Sequence, residues 1–181
     1  MNQIRIHGRG GQGNVTLAQL IAMAAFYEGK FTQAFPNFGV ERKGAPVVAF
    51  TKISDQFIRN RQQIYKPDFI IVQDPSLINV IDVLEGADQD TTIIVNSSNQ
   101  DICSNYKAKV YCVPVLDIAL KIIGKPIINT SMLGAFAKIY GQIGLTSIKK
   151  AIKINLGKKL GQELIDKNIK ALEEAYKTTE V

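Results

Sequence analysis

The chain has few of the residues that metal centres and nucleophilic active sites require. Its 181 residues contain two cysteines, Cys103 and Cys112, and one histidine, His7. Two thiols are too few for a cubane iron–sulfur cluster, which takes four, and a zinc site here would need carboxylates to complete its ligands. We therefore interpret the cysteines as free thiols of a reducing compartment, and His7 as a packed or backbone-bonded side chain.

Long apolar runs and clustered basic residues are also missing. No run reaches the roughly 20 residues of a membrane span, and no signal-peptide pattern precedes the first strand-like segment, so we expect a cytoplasmic protein without a membrane partner. The net charge is +6, and residues 1–66 carry nine Lys or Arg against three Asp or Glu. These basic residues are spaced singly, without interleaved aromatics. An anionic small molecule or an acidic partner subunit therefore fits better than nucleic acid.

Length and hydrophobic pattern predict one α/β domain over residues 1–181. The apolar fraction of 46% is enough for a single core. Short apolar runs that alternate with helical patterns are typical of a Rossmann-like, mostly parallel sheet with flanking helices, and the C-terminal part is helical. The predicted strands are 3–7, 31–35, 46–53, 68–73, 91–96 and 109–113, and the predicted helices are 14–28, 76–85, 116–123, 131–142, 146–155 and 159–176.

A glycine-rich segment follows the first strand and opens the first helix. It reads Gly8-Arg9-Gly10-Gly11-Gln12-Gly13, and this is the context in which G-x-G-x-x-G binds phosphate groups. Gly8 permits a tight turn, Gly10 a close approach of the backbone to a pyrophosphate, and Gly13 close packing of helix and strand. First-turn amides and Arg9 would then hold the anion. The alternative is a strand–helix turn that binds nothing.

Several enzyme classes lack their required residues. The second strand ends without the acid that holds a dinucleotide ribose, since Glu28 precedes that strand and Glu41 follows well after it. A Walker A Gly-Lys-Ser/Thr and a Gly-x-Ser-x-Gly elbow are both missing. Asp74 and Asp117 follow strand-like runs and are either a pair or separate helix caps. By itself the chain is therefore interpreted as a binding domain.

The segment 36–46 is unusually long for a connection between two strands. It holds two glycines, two prolines and a Glu-Arg-Lys triplet, and long loops in compact domains are often functional. One interpretation is a solvated connection. The other is a docking loop in which Phe38 is an apolar anchor and Glu41 and Arg42 are oriented charges.

Taken together, the chain resembles the gamma subunit of the 2-oxoacid:ferredoxin oxidoreductases, most closely the pyruvate/ketoisovalerate branch. The resemblance rests on segments 8–13, 38–46 and 129–134, and on a closing helix over 168–176. Two positions depart from the family pattern. Lys43 stands where the family commonly has the second of two arginines, and Lys52 stands where arginine is frequent.

The resemblance implies a subunit of an enzyme that oxidatively decarboxylates a 2-oxoacid to acyl-coenzyme A. Thiamine diphosphate and iron–sulfur clusters would belong to partner alpha, beta and delta subunits, with ferredoxin as electron acceptor. This chain would supply coenzyme A binding through Gly8, Arg9, Gly10, Gly11, Gln12 and Gly13, and subunit contacts through Phe38, Glu41, Arg42 and Lys43. Arg42 and Lys43 are secondary candidates for contact with the phosphate groups instead. The alternative is a stand-alone nucleotide-binding or regulatory module that uses the same loop.

Overall fold

Six strands of the described chain form one sheet. The computed structural model describes residues 1–37, 44–103 and 107–181. The strands are β1 (Asn2–Arg9), β2 (Phe31–Pro36), β3 (Pro46–Ser54), β4 (Phe69–Val72), β5 (Thr92–Asn96) and β6 (Lys109–Val113). All six strands predicted from the sequence are confirmed, and their ends differ by no more than two residues.

The sheet is mixed, in the order β2-β3-β1-β4-β5-β6. The pairs β1–β4, β4–β5 and β5–β6 are parallel, as the sequence predicts. β3 is antiparallel to both β1 and β2. Antiparallel neighbours need no helical crossover between them, unlike the parallel pairs. The α/β class is confirmed, with β2 and β6 at the two edges.

Five α-helices and two short 3₁₀ helices complete the described chain. The α-helices are α1 (Asn14–Tyr27), α2 (Val115–Ile122), α3 (Asn129–Tyr140), α4 (Leu145–Leu156) and α5 (Gln162–Thr178); the 3₁₀ helices are Pro75–Asn79 and Gln100–Cys103. Within the described ranges, none of the helices has the length and apolar character that crossing a bilayer takes.

The α-helix predicted over residues 76–85 is wrong. Only a 3₁₀ helix forms, at Pro75–Asn79, and the chain then continues irregularly. The carbonyl groups of Val83 and Glu85 accept hydrogen bonds from Arg5 of β1, at 3.1 and 2.6 Å. The Val83 amide donates to the Ile81 carbonyl at 2.9 Å, only two residues back, whereas an α-helix uses the carbonyl four residues back. The chain therefore leaves the helical path here, and Arg5 holds it to β1.

All five α-helices contribute to one apolar cluster on one face of the sheet. Ile4 and Ile6 of β1 point into this cluster, and Phe136 of α3 is fully buried in it, between the rings of Phe69 and Tyr140. α3 and α5 cross closely at Gly134, where an added Cβ would lie 2.2 Å from the carbonyl oxygen of Leu172. α1 and α3 lie next to the strands, and α4 and α5 pack on α1 and α3.

The opposite face of the sheet is covered by irregular chain. A smaller apolar cluster from β4 and β5 lies there, beneath residues 74–90. Because neighbouring residues of a strand point to opposite faces, Arg5 and His7 point to this side. Lys52 of β3 also lies there, and all three basic side chains are buried.

Candidate functional site

The glycine-rich segment lies between β1 and α1, at the carboxyl end of β1. Gly8 is buried within β1 and pairs with Val47, although the sequence predicts a turn there. Its side chain must be absent because Asn14 Oδ1 would lie only 2.3 Å from an added Cβ. Gly11 and Gly13 have φ of 98° and 81°, which favours glycine. The two later glycines therefore shape the turn, and Gly8 makes room for Asn14.

The amino end of α1 has no side-chain cap. Its N-cap residue is Gly13, no described side chain bonds to its first turn, and no acidic residue occurs in that turn. The unsatisfied first-turn amides and the helix dipole give such an end a partial positive charge. Together with the exposed Gly11, this end has the backbone chemistry of an anion site.

Arg9 turns across the loop to residues that follow β4. Its Nε lies 3.0 Å from Asp74 Oδ2, its Nη2 donates to Ser76 Oγ at 2.8 Å, and its Nη1 donates to the Gly44 carbonyl at 3.1 Å. The sequence predicts that Arg9 contacts an anion directly. In this structure, its three side-chain nitrogens instead donate to groups of the same chain. These bonds hold the glycine-rich loop against the residues that follow β4.

Asp74 is the acceptor around which this arrangement forms. It caps the 3₁₀ helix through the Ser76 amide, which confirms the capping interpretation, whereas Asp117 lies exposed in the first turn of α2. Burial opposes ionisation of Asp74, but hydrogen bonds from Ser76 and Gln12, together with the Arg9 charge, lower the pKa of its carboxyl group below the usual value. Asp74 is therefore an anion at neutral pH.

Gln12 holds the glycine-rich loop through two further hydrogen bonds. Its Oε1 accepts from the Arg9 amide at 2.7 Å, and its Nε2 donates to Asp74 Oδ2 at 3.1 Å. The Gly10 amide donates to the Ala45 carbonyl at 2.9 Å. The loop is therefore held to the segments that flank both β3 and β4, and its shape does not depend on a ligand.

Three buried carboxamides below the loop were not predicted as site residues. Gln73 Nε2 donates to Asn14 Oδ1, Asn14 Nδ2 donates to the Val47 carbonyl, and Asn96 Nδ2 donates to the Gln73 carbonyl at 3.0 Å. Gln73 and Asn96 stand at the carboxyl ends of β4 and β5, so a polar residue that ends a buried apolar run is the signal that would have found them. They connect the loop to the sheet.

Two other segments of the family resemblance meet at the amino end of α1. Asn129, the first residue of α3, packs against Gly13, where an added Cβ would lie 3.0 Å from its Nδ2. The next residue, Thr130, donates to Asn168 Oδ1 of α5 at 2.8 Å. The segments 129–134 and 168–176 thus support the glycine-rich loop, although they are far from it in sequence.

The remaining predicted residues lie apart from this site. His7 is packed as predicted: its Nε2 accepts from Arg5 Nε at 3.0 Å, and burial, aided by the Arg5 charge, lowers its pKa to about 3. Cys112 is a half-buried free thiol whose pKa is raised by burial. The predicted interface residues lie outside the described residues: Phe38, Glu41, Arg42 and Lys43.

Known proteins resemble this chain along almost its whole length. The family model for pyruvate ferredoxin/flavodoxin oxidoreductase matches residues 3–178. Pyruvate synthase subunit PorC of Methanocaldococcus jannaschii is 51% identical over 97% of this chain and 96% of its own. The pyruvate/ketoisovalerate oxidoreductases common subunit gamma of Pyrococcus furiosus is 48% identical over 100% and 98%.

A solved structure gives the same result. The crystal structure of pyruvate oxidoreductase subunit PORC from Thermotoga maritima superposes with a TM-score of 0.86, at 35% identity, over 99% of this chain and 97% of that chain. Sequence and fold therefore agree along the full length compared, and the chain belongs to the pyruvate ferredoxin/flavodoxin oxidoreductase family.

Proposed function

We propose that this chain is the gamma subunit of a pyruvate, or related 2-oxoacid, ferredoxin oxidoreductase, and that it contributes coenzyme A binding and subunit contacts. The observation that carries the binding role is the uncapped amino end of α1 behind a rigid glycine-rich loop. The family resemblance along the whole chain supports the subunit role.

The residues present fit the phosphate-bearing half of coenzyme A. Gly11 has nothing within 4 Å of the position of a Cβ, so an anion can approach the backbone there. Among the proposed residues Gly8, Arg9, Gly10, Gly11, Gln12 and Gly13, the glycines would admit the anion to the amides. Arg9 and Gln12 would hold the loop through Asp74. Bound coenzyme A supplies the thiol that accepts the acyl group.

The reaction centre would belong to companion chains. Thiamine diphosphate and iron–sulfur clusters are proposed for the alpha, beta and delta subunits, with ferredoxin as the electron acceptor of the complex. The two cysteines of this chain are too few for a cubane cluster. The purified chain alone should therefore show no turnover with pyruvate and should co-purify with larger cofactor-bearing subunits.

The decisive experiment compares Gly11→Ala with Gly29→Ala in the assembled enzyme. Both glycines have positive φ, of 98° and 81°, and both have open space around an added Cβ. Each substitution costs roughly 1–2 kcal/mol of backbone strain, but only the Gly11 methyl group would face the proposed anion. We expect Gly11→Ala to raise the KM for coenzyme A about tenfold, equivalent to about 1.4 kcal/mol, with subunits still associated.

The same experiment defines the results that would contradict the proposal. Equal coenzyme A saturation in both variants would remove the loop from the binding site, and the harsher Gly10→Val should then also have no effect. Oxidation of pyruvate by the lone chain would overturn the proposal, and tight binding of NAD by the lone chain in calorimetry would favour a stand-alone nucleotide-binding module. For the proposed interface, Arg42→Glu should mainly reduce assembly, as measured by gel filtration.

A further inference from the structure

The outer edge of β2 is unpaired among the described residues. β2 pairs with β3 on one side, and within residues 1–37, 44–103 and 107–181 no strand pairs with its other side. The Asn37 amide donates to the Val48 carbonyl at 2.8 Å, which fixes which pairs of the antiparallel ladder are hydrogen-bonded. By this alternation, the N–H and C=O groups of Thr32 and Ala34 point away from β3. This edge can therefore accept another strand.

A cavity of about 570 Å³ runs along this edge. Five consecutive residues, Gln33 to Asn37, line one side of it, and Arg61 and Gln63 line the other. Because consecutive residues of a strand point to opposite faces, a cavity that touches all five lies against the backbone edge. Its volume is within the range of roughly 300–1,000 Å³ seen for binding sites.

The cavity wall that carries Arg61 is held to the sheet by Lys52. Lys52 Nζ donates to the carbonyl groups of Asn60 and Gln62, at 3.1 and 2.7 Å, on either side of Arg61. Gln63 Nε2 donates to Asn37 Oδ1 at 2.6 Å and so connects this wall to the end of β2. The arginine is therefore presented from a preorganised backbone, which lowers the entropic cost of binding.

The charge of this wall selects for an acidic occupant. Residues 56–66 contain Arg59, Arg61 and Lys66 and no acid, and these three side chains are exposed. Gln33, which also lines the cavity, donates through Nε2 to the Ile58 carbonyl at 2.9 Å and so connects β2 to this wall. The site therefore combines a carboxylate-binding guanidinium with strand-pairing groups.

Exposed aromatic side chains adjoin the same edge. Phe31, at the start of β2, and Phe57, in the segment after β3, are 46% and 71% exposed. Their ring centroids lie 5.9 Å apart. Aromatic residues are enriched where partner chains bind, so they extend the surface beyond the cavity.

We propose that this edge is a docking surface for an extended, acidic segment of a companion subunit, which adds as a strand beside β2. Its backbone would pair with Thr32 and Ala34, as in β-strand addition, and its carboxylate would bind Arg61. The inference rests on the proposed function, because it takes the occupant from the same complex.

The test co-expresses the tagged chain with the companion subunits and measures how much of them is recovered. We expect Arg61→Glu to lower recovery about tenfold or more, since it places like charges together, and Arg61→Lys to restore most of it. Arg59→Glu is the matched control, because Arg59 is also exposed but does not line the cavity. Unchanged melting temperatures of the lone variants would establish that they fold.

Hydrogen exchange supplies a second measurement. The Thr32 and Ala34 amides should exchange more slowly in the complex than in the lone chain. Ala34→Pro should weaken assembly, because proline removes an outward N–H that β3 does not use.

Five outcomes would overturn the inference. Equal recovery with Arg61→Glu and Arg59→Glu, or unchanged exchange at Thr32 and Ala34, would do so while wild-type co-purification leaves the proposed function intact. Slowed exchange of these amides in the lone chain through dimerisation would identify a second copy as the occupant, and slowed exchange by added pyruvate or phosphate would identify a small anion. Failure of the wild-type chain to recover any companion would overturn the proposed function and this inference together.

Discussion

The two faces of the sheet are covered in different ways. One face is covered by five α-helices, and the polar residues buried there among the described residues, such as Thr51, Thr130 and Asn168, are uncharged. The other is covered by irregular segments over residues 55–66 and 74–90, and the basic side chains Arg5, His7 and Lys52 are buried there. Both faces exclude water, but only the second contains buried cations.

The difference follows from how the backbone carbonyl groups of each covering segment find hydrogen-bond donors. A helix bonds its carbonyl groups internally, whereas irregular chain over a core leaves carbonyls that need donors. Arg5 donates to the carbonyls of Ile64, Val83 and Glu85, and Lys52 donates to those of Asn60 and Gln62. Burial lowers the pKa values of both side chains. The basic residues thus connect the irregular cover to the sheet.

The largest effect is expected on the helical face. Phe136→Ala should destabilise the protein by about 3–5 kcal/mol, because it leaves a cavity in a fully packed core. Urea unfolding of the lone chain measures this. Leu120→Ala is the control, since Leu120 is 47% exposed and should change stability by about 0.5 kcal/mol or less. A loss similar to that of the control would mean that the helical layer is not the main source of stability.

An intermediate effect is expected where the irregular cover meets Lys52. Lys52→Met keeps most of the apolar stem but leaves two carbonyl groups without donors, which should cost about 2–3 kcal/mol. The loss should be local, so limited proteolysis should cut within residues 55–66 faster than in the wild type. Lys52→Arg should restore resistance, because it restores donors. Equal cleavage rates in the wild type and in Lys52→Met would contradict this role.

The smallest effect concerns pH and His7. Its pKa is about 3 in the folded protein and about 6.5 in an unfolded chain, so between these values only the unfolded chain binds the proton. Stability should therefore fall as the pH drops from 7 to 5, by about 2 kcal/mol from this residue. His7→Gln, which keeps an acceptor for Arg5, should flatten that part of the pH profile. Identical profiles would show that folding does not shift the pKa of His7.

Much of the fold could be predicted from local sequence, and the failures have a common cause. Local hydrophobic patterns predict the buried strands β4 and β5 and the helices around them. The helix predicted over 76–85 is limited to a 3₁₀ helix at Pro75–Asn79, and the irregular chain after it is held by Arg5, about 80 residues earlier in the chain, through the carbonyls of Val83 and Glu85. The antiparallel direction of β3 depends on its pairing with β1 and β2, which no local pattern specifies.

The candidate site was predictable in its backbone and not in its side-chain contacts. The glycine spacing located the loop and the start of α1. The pairing of Arg9 with Asp74, 65 positions away, depends on β1 and β4 being neighbours in the sheet. For the same reason Gln73 and Asn14 could not be recognised as contacts. The sequence therefore indicated where an anion would approach, and the structure adds what holds that place rigid.

The close crossing at Gly134 has a consequence for biosynthesis. Because α3 packs directly against the backbone of α5, the apolar side of α3 lacks one wall until Leu172 has been translated. A ribosome-bound chain that has released the strands and α1 would still lack the cover that α5 gives to the side of α3 around Thr130 and Gly134. We therefore expect chaperones to engage nascent chains of this length, and their release to coincide with the emergence of α5 from the exit tunnel.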